Sequence, residues 1–77
     1  MTIDEFTKEF AQLIDLSPAD LKADTDLSSI DTWDSVAYLT AMVMIDEKLG
    51  ITLRPEIISR AKQFQDILDA VRPALSV

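Results

Sequence analysis

The most apolar segment of the chain, Val36 to Leu49, contains no glycine and no proline and is followed by Gly50. Asp34 and Ser35 precede it, and both residue types favour the start of a helix. A glycine just past the last helical position favours the end of one. The segment therefore predicts a central helix from about Ser35 to Leu49, around which a chain of 77 residues has to fold.

The apolar residues of this central helix occupy more than one face. A stripe at steps of three and four residues predicts the inward side, and it consists of Val36, Leu39, Met42, Ile45 and Leu49. Ala41, Val43 and Met44 widen the apolar surface to well over half of the circumference. Such a helix is either buried centrally or carries a partner surface beside its core face.

A first helix is predicted by its start signal and its apolar face. Thr2 and Glu5 have the spacing of a capping box, in which each side chain accepts a hydrogen bond from the other residue's backbone amide. Apolar residues then recur at steps of three and four, and these are Ile3, Phe6, Phe10, Leu13 and Ile14. The pattern predicts a helix that ends near Asp15 or Leu16.

Two more helices are predicted in the C-terminal third. Pro55 opens a short helix with Glu56 in its first turn, because proline is tolerated at the first helical position. A last helix begins near Gln63 and ends at Pro73, and its inward face consists of Phe64, Ile67, Leu68 and Val71. We expect residues 74–77 to fray.

A long polar connection separates the first helix from the central one. Ser17 and Pro18 predict one helical turn, and residues 22–33 then form a loop of a length that is usually functional or flexible. Its Asp24-x-Asp26-x-Ser28 pattern lacks the glycine and the glutamate that a calcium loop needs at its sixth and twelfth positions. We therefore predict no metal site.

These elements predict an all-α fold: a small bundle of three longer helices plus one short helix, with a long loop between the first two long helices. The sequence contains no repeat and no change of composition that would mark a second unit, so residues 1–77 are predicted to form a single domain. The residues on which we expect stability to depend are Phe6, Phe10, Leu39, Ile45 and Leu68.

Composition excludes several classes of function. The chain has no histidine and no cysteine, so it lacks the usual general base and the thiol nucleophile, and we do not expect an enzyme. A formal net charge of −7 argues against nucleic acid and anionic lipid as partners. Residues 1–50 carry eleven acids and three bases, whereas residues 51–77 carry three acids and four bases.

The sequence also bears on where the protein acts. Its start, Met1-Thr2-Ile3-Asp4-Glu5, is acidic and lacks the features of a signal peptide. No apolar run reaches the length of a membrane span. We therefore expect a cytoplasmic protein that does not insert stably into membranes and acts as a monomer.

Ser35 is the residue whose role the local rules leave open. As a helix-start residue it can be purely structural, and Trp33 before the Asp34 cap can pack on Tyr38 as a hydrophobic staple. A group attached to Ser35 would instead lie at a helix N-terminus, where free amides and the helix dipole suit a phosphate. The local pattern is compatible with both interpretations.

Together these residues resemble a known family, the acyl carrier proteins. The resemblance covers nearly the whole chain and is carried by the motif Trp33-Asp34-Ser35-Val36, where most members read Asp-Ser-Leu. The residues that follow are similar to the family pattern as well, and they are Leu39, Met42, Ile45, Asp46-Glu47 and Leu49-Gly50-Ile51.

The resemblance implies that Ser35 carries a 4′-phosphopantetheine, which a phosphopantetheinyl transferase installs from coenzyme A with the help of magnesium. The thiol of this arm would hold acyl intermediates as thioesters and present them to acyl-loading and acyl-processing enzymes. Asp34 would help the transferase to dock. The family's partner surface falls on Val43, Met44, Asp46, Glu47 and Ile57 of this sequence.

The sequence departs from the carriers of bulk fatty-acid synthesis at several positions. Ala37 and Thr40 stand where those members tend to have acids, and the usually acid-rich third helix is flanked here by the bases Arg54, Arg60 and Lys62. The Trp-Asp-Ser motif looks more like that of specialised carriers in a dedicated lipid, polyketide or other secondary pathway. An aminoacyl or peptidyl carrier and an unmodified helical adaptor are the alternatives.

Overall fold

The computed structural model describes residues 1–76, and within them the chain forms four α-helices and no strand. These are α1 (Ile3–Leu13), α2 (Ser35–Leu49), α3 (Pro55–Ser59) and α4 (Phe64–Val71). Short 3₁₀ turns lie at Pro18–Asp20, Leu27–Ser29 and Arg72–Ala74. The predicted all-α class, with three longer helices and a short one, is confirmed. No helix within residues 1–76 is both long and apolar enough to cross a bilayer.

Helix α1 begins as the sequence predicts and ends earlier. The Thr2 hydroxyl accepts a hydrogen bond from the Glu5 amide at 3.1 Å, and the Glu5 carboxylate accepts one from the Thr2 amide at 3.0 Å. The bond from the Thr2 amide holds the pKa of Glu5 below its ordinary value. At the other end Asp15 has a φ of 56°, a left-handed conformation that a helix cannot continue, so α1 stops at Leu13.

Aromatic side chains form the centre of the core. The ring centroid of Phe10 lies 5.0 Å from that of Phe64 and 5.2 Å from that of Trp33. Phe6 stacks on Phe64 at 6.2 Å. Aromatic pairs at such distances attract each other beyond the effect of their buried area. The cluster joins α1 and α4 to the turn that precedes α2.

The inward face of α2 differs from the predicted one. Ala37, Ala41 and Ile45 are buried, whereas Val36 is 69% exposed and Leu39 is 63% exposed. The prediction that Leu39 supports the core is therefore wrong. Because α2 is apolar around most of its circumference, the spacing of its apolar residues does not decide which side faces inward. The alanines present the smaller side chains, so α2 can pack closely against the rest of the bundle.

The long polar loop is tied to the start of α4. The carbonyl of Thr25 accepts a hydrogen bond from the Phe64 amide at 3.0 Å, and the carbonyl of Ala23 accepts one from the Gln65 amide at 2.8 Å. The first amides of a helix have no partner within that helix. The loop supplies those partners, so it braces the bundle through its backbone.

The two ends of α4 also have identifiable contacts. The Asp66 carboxylate accepts hydrogen bonds from the amides of Gln63 and Lys62, both at 3.0 Å, and these bonds lower the pKa of Asp66. Beyond the helix, the Ser76 amide donates to the Met1 carbonyl at 2.9 Å. The prediction that residues 74–77 fray is therefore wrong for residues 74–76, and Val77 lies outside the described residues.

Candidate functional site

Asp34 and Ser35 lie at the N-terminal end of α2, as the sequence predicts. Asp34 has an extended backbone (φ −127°, ψ −172°), and its carboxylate accepts a hydrogen bond from the Ala37 amide at 2.9 Å. Ser35 is the first helical residue and is exposed. Its hydroxyl forms no hydrogen bond within residues 1–76. The cap is made by Asp34, and the Ser35 hydroxyl is left unused by the fold.

Trp33 anchors the turn that presents Ser35. Its ring lies edge-on to Tyr38 with centroids 4.8 Å apart, and 5.2 Å from the ring of Phe10. The contact with Tyr38 confirms the predicted hydrophobic staple. Only 7% of the Trp33 surface is exposed, so the backbone two residues before the exposed serine is fixed in the core.

A hydrogen bond provides a second anchor for the same turn. The Thr32 hydroxyl donates to the carbonyl of Ile14 at 2.5 Å. Ile14 follows the last residue of α1, where carbonyls have no partner within the helix. The bond therefore links the end of α1 to the start of α2, and Ser35 is positioned by contacts on both sides of the turn.

The surroundings of the Ser35 hydroxyl suit a phosphate group. The backbone amides of Ser35 and Val36 have no hydrogen-bond partner in the part of the chain that the structure describes. Such amides, together with the dipole of a helix as long as α2, favour negative charge at the N-terminal end. A phosphate esterified to Ser35 could be placed here without loss of an existing hydrogen bond.

Three apolar side chains form an exposed stripe along α2 that starts next to Ser35. We call Val36, Leu39 and Val43 the outer stripe; they are 69%, 63% and 56% exposed. Their spacing of three and four residues places them on one side of the helix. Exposed apolar groups that adjoin one another in this way form a candidate surface for interaction with another molecule.

The residues predicted to face a partner do not all share this side. Val43, Asp46 and Glu47 are exposed on α2, and Ile57 on α3 is 41% exposed. Met44 is half-buried and lines a groove together with side chains of α1. Adjacent helical residues point about 100° apart, so Val43 and Met44 face different surroundings.

The sequence prediction did not identify Val36 and Leu39 as surface residues. The sequence signal that could have raised the alternative is the set of apolar residues at four-residue steps, which are Ala37, Ala41 and Ile45. This set offers a second possible inward stripe, with its small residues at the first two positions. Choosing it would have placed Val36 and Leu39 outside.

A groove of about 610 Å³ opens beside the start of α2. Trp33 and Tyr38, two residues before and three residues after Ser35, line one part of it. The remaining lining residues come from the long loop, from the last residue of α3 and from the α3–α4 connection, and they are Ser28, Ser59, Arg60, Ala61 and Lys62. We call this feature the lateral groove.

Comparison of the chain with protein-family models, with curated protein sequences and with solved structures found no match. The features of the site that bear on function are its exposed hydroxyl, its exposed apolar side chains and its charges.

Proposed function

We propose that the protein is an acyl carrier whose 4′-phosphopantetheine arm is attached to Ser35. The observation that carries this proposal is the exposed, unbonded hydroxyl on the first residue of α2. A serine that capped the helix would use its hydroxyl to accept a hydrogen bond from a backbone amide of the first turn. Here Asp34 makes the cap, and the serine is available for another role.

The attachment chemistry requires a separate enzyme. The Ser35 hydroxyl oxygen would form a phosphodiester with the pantetheine phosphate of coenzyme A, and the adenosine-bearing phosphate would leave. The chain has no histidine to act as base, so the hydroxyl proton would pass to a base of the transferase. Magnesium would accompany the transfer, and the two unpaired amides at the start of α2 would face the product phosphate.

The outer stripe gives the proposed carrier a place to meet its enzymes. Val36, Leu39 and Val43 begin next to the attachment residue, and Asp46 and Glu47 follow on the same helix. An enzyme that binds this helix would therefore have its active site near the arm. Loss of water from three apolar side chains would supply affinity, and the acids would favour a basic residue on the partner.

The remaining features of the proposal concern the chain as a whole. The helices would have an acyl-carrier-like arrangement in a single domain, and the monomer would perform no catalysis of its own. The Trp33 anchor and the bases after α2 favour a dedicated lipid, polyketide or other secondary pathway over bulk fatty-acid synthesis. We place the carrier in the cytoplasm, with acyl-loading and acyl-processing enzymes as its partners.

A modification assay tests the attachment. The purified protein is incubated with coenzyme A, magnesium and a broad-specificity phosphopantetheinyl transferase, and its intact mass is measured. We expect one phosphopantetheine on the wild type and none on Ser35→Ala. Ser59→Ala removes an exposed hydroxyl from α3 and serves as the matched control, which should be modified like the wild type. Modification of Ser35→Ala would show that the site is elsewhere.

An unmodified helical adaptor is the second candidate, and the outer stripe is the observation that favours it. Exposed apolar residues on α2 can bind a partner protein whether or not an arm is attached to Ser35. In that case Leu39→Asp should abolish partner binding, while Ser35→Ala should leave it unchanged. For a carrier, both substitutions should abolish delivery of acyl groups.

A further inference from the structure

The lateral groove combines positive charge with an apolar wall in a protein of net charge −7. Arg60 and Lys62 are both exposed, and both line it. The ion pair found within residues 1–76 joins Arg72 to Asp69 at 3.3 Å, away from this groove. Neither Arg60 nor Lys62 therefore has a carboxylate within 4 Å of its charged end in the described chain.

Each of the two cations also has an acid beside it in an adjoining groove. Asp66 accepts a hydrogen bond from the Lys62 amide, and the positive charge of Lys62 helps to lower the pKa of the Asp66 carboxyl group. Glu56 lines the neighbouring groove, which it shares with Arg60 and Arg54. The lining of the lateral groove itself contains no acid, and its Ser28 hydroxyl donates to Asp26. An anion in the groove would thus meet two cations, with the Asp26 carboxylate, 2.6 Å from the Ser28 hydroxyl, as a neighbouring acid.

We propose that the lateral groove binds the terminal carboxylate of a carboxyacyl group carried on the Ser35 arm. Arg60 and Lys62 are the contacts for the carboxylate, and Trp33 and Tyr38 form the apolar wall along which the acyl chain lies. The inference deepens the proposed function and rests on it, because the arm brings the ligand to the groove. It assigns the cargo to one chemical class, acyl groups with a second carboxylate.

Tethering makes such a contact effective although the cations are exposed. Ion pairs at a protein surface are weak, since water and salt screen them. A ligand held by a short flexible linker has an effective concentration in the millimolar range. Trp33 and Tyr38, which lie two residues before and three residues after the attachment point, both line the groove, so the groove adjoins the place where the arm is attached.

The test compares two acyl groups of equal length. Apo protein is loaded by the transferase with hydrolysis-resistant amide analogues of succinyl- and butyryl-coenzyme A, which end in a carboxylate and a methyl group. Two-dimensional NMR then follows the backbone amides of Ala61 and Lys62 and the indole of Trp33, which is the only tryptophan of the chain. We expect the succinyl form to shift these resonances and the butyryl form to leave them near their positions in the unacylated holo protein.

Two glutamine variants identify the groove that is used. Arg60→Gln should reduce the succinyl-specific shifts about two- to fivefold, as expected for loss of an exposed charge pair. Arg54→Gln makes the same change of charge at the N-cap residue of α3, which lies outside the lining of the lateral groove, and this variant should retain the shifts. Equal loss in both variants would overturn the assignment to Arg60.

The outcomes also separate this inference from the proposed function. Intact mass is measured before the NMR spectra, and failure to load either analogue would refute the attachment and the groove together. Successful loading with identical spectra for the succinyl and butyryl forms would refute the groove and leave the attachment intact. Shifts already complete in the unacylated holo protein would show that the cations bind the phosphodiester, which also overturns the proposal.

Discussion

Helices α1 and α2 bury their side chains in opposite ways. Helix α1 turns its largest residues inward, and Phe6 and Phe10 are completely buried. Helix α2 buries alanines at positions 37 and 41 and exposes Val36 and Leu39. The first arrangement is what the hydrophobic effect favours for a helix that only stabilises a fold. The second leaves apolar surface in water.

The difference indicates that the two helices have different tasks. Helix α1 is capped at its start by a reciprocal pair of hydrogen bonds and is held by aromatic contacts, which stabilise the bundle. Helix α2 packs inward with two alanines and Ile45, and it exposes Val36 and Leu39 close to Ser35. Substitutions in the two helices should therefore affect different measurements.

The largest expected effect on stability is that of Phe10→Ala in α1. Phe10 is fully buried and contacts both Phe64 and Trp33. Its removal should cost about 3–5 kcal/mol of the free energy of unfolding, because the cavity adds to the lost burial. The urea midpoint measures this cost, and it should fall steeply.

Leu39→Ala in α2 is the matched truncation for that experiment. Leu39 is exposed, so the free energy of unfolding should change by no more than about 0.5 kcal/mol. Acyl transfer from a partner enzyme, by contrast, should become slower. A loss of stability comparable to that of Phe10→Ala would show that Leu39 faces the core after all and would remove the contrast between the helices.

Ala41→Leu tests the close packing of α2 from the inner side. Ala41 is fully buried, and the added atoms should cost about 1–3 kcal/mol by overpacking. Val43→Leu enlarges an exposed side chain two residues later and should leave the thermal midpoint nearly unchanged. If Ala41→Leu is as stable as the wild type, α2 does not depend on its alanines.

The start of α2 should respond to loss of its single cap. Asp34→Ala removes the acceptor for the Ala37 amide and should cost about 0.5–2 kcal/mol, whereas Asp34→Asn keeps a good capping residue and most of the stability. Both variants lack the charge that we expect the transferase to use. Thermal unfolding and the rate of modification, measured on the same samples, separate the two roles. If Asp34→Asn is modified at the rate of the wild type, the transferase does not recognise the charge of Asp34.

The smallest expected effect is the loss of stability at low pH that comes from Glu5 at the start of α1. The folded state lowers the pKa of Glu5 through hydrogen bonds with Thr2. Its stabilising contribution is thus complete above the ordinary pKa of glutamate and is lost as the pH falls through the lower, folded-state pKa. Urea midpoints of wild type and Glu5→Gln should differ most near neutral pH and converge in acid. A difference that grows in acid would contradict this sign.

Local sequence rules predicted the helix starts correctly. The Thr2–Glu5 box, the Asp34 cap and the Trp33–Tyr38 contact each depend on residues within five positions of one another, so their spacing alone is informative. The end of α2 at Gly50 follows from its left-handed φ of 69°, which glycine adopts without strain.

Features that depend on distant parts of the chain could not be predicted in the same way. The inward face of α2 is set by the helices around it. Because α2 has apolar residues on almost every side, their spacing does not indicate which side faces inward. The bond from the Phe64 amide to the Thr25 carbonyl joins two backbone groups, which carry no residue-specific signal. The bond from the Thr32 hydroxyl to the Ile14 carbonyl spans 18 positions, so its acceptor cannot be identified from local spacing. The lateral groove is built from three segments that are separate in the sequence, so the sequence alone could not predict it.

The central claim is that Ser35 carries the arm, and the mass of the protein isolated from its native cell tests it most directly. We predict an intact mass increased by one phosphopantetheine, with fragmentation placing the group on the peptide that contains Ser35. An unmodified mass under all growth conditions, for protein that the transferase also leaves unmodified in vitro, would contradict the claim and favour an adaptor.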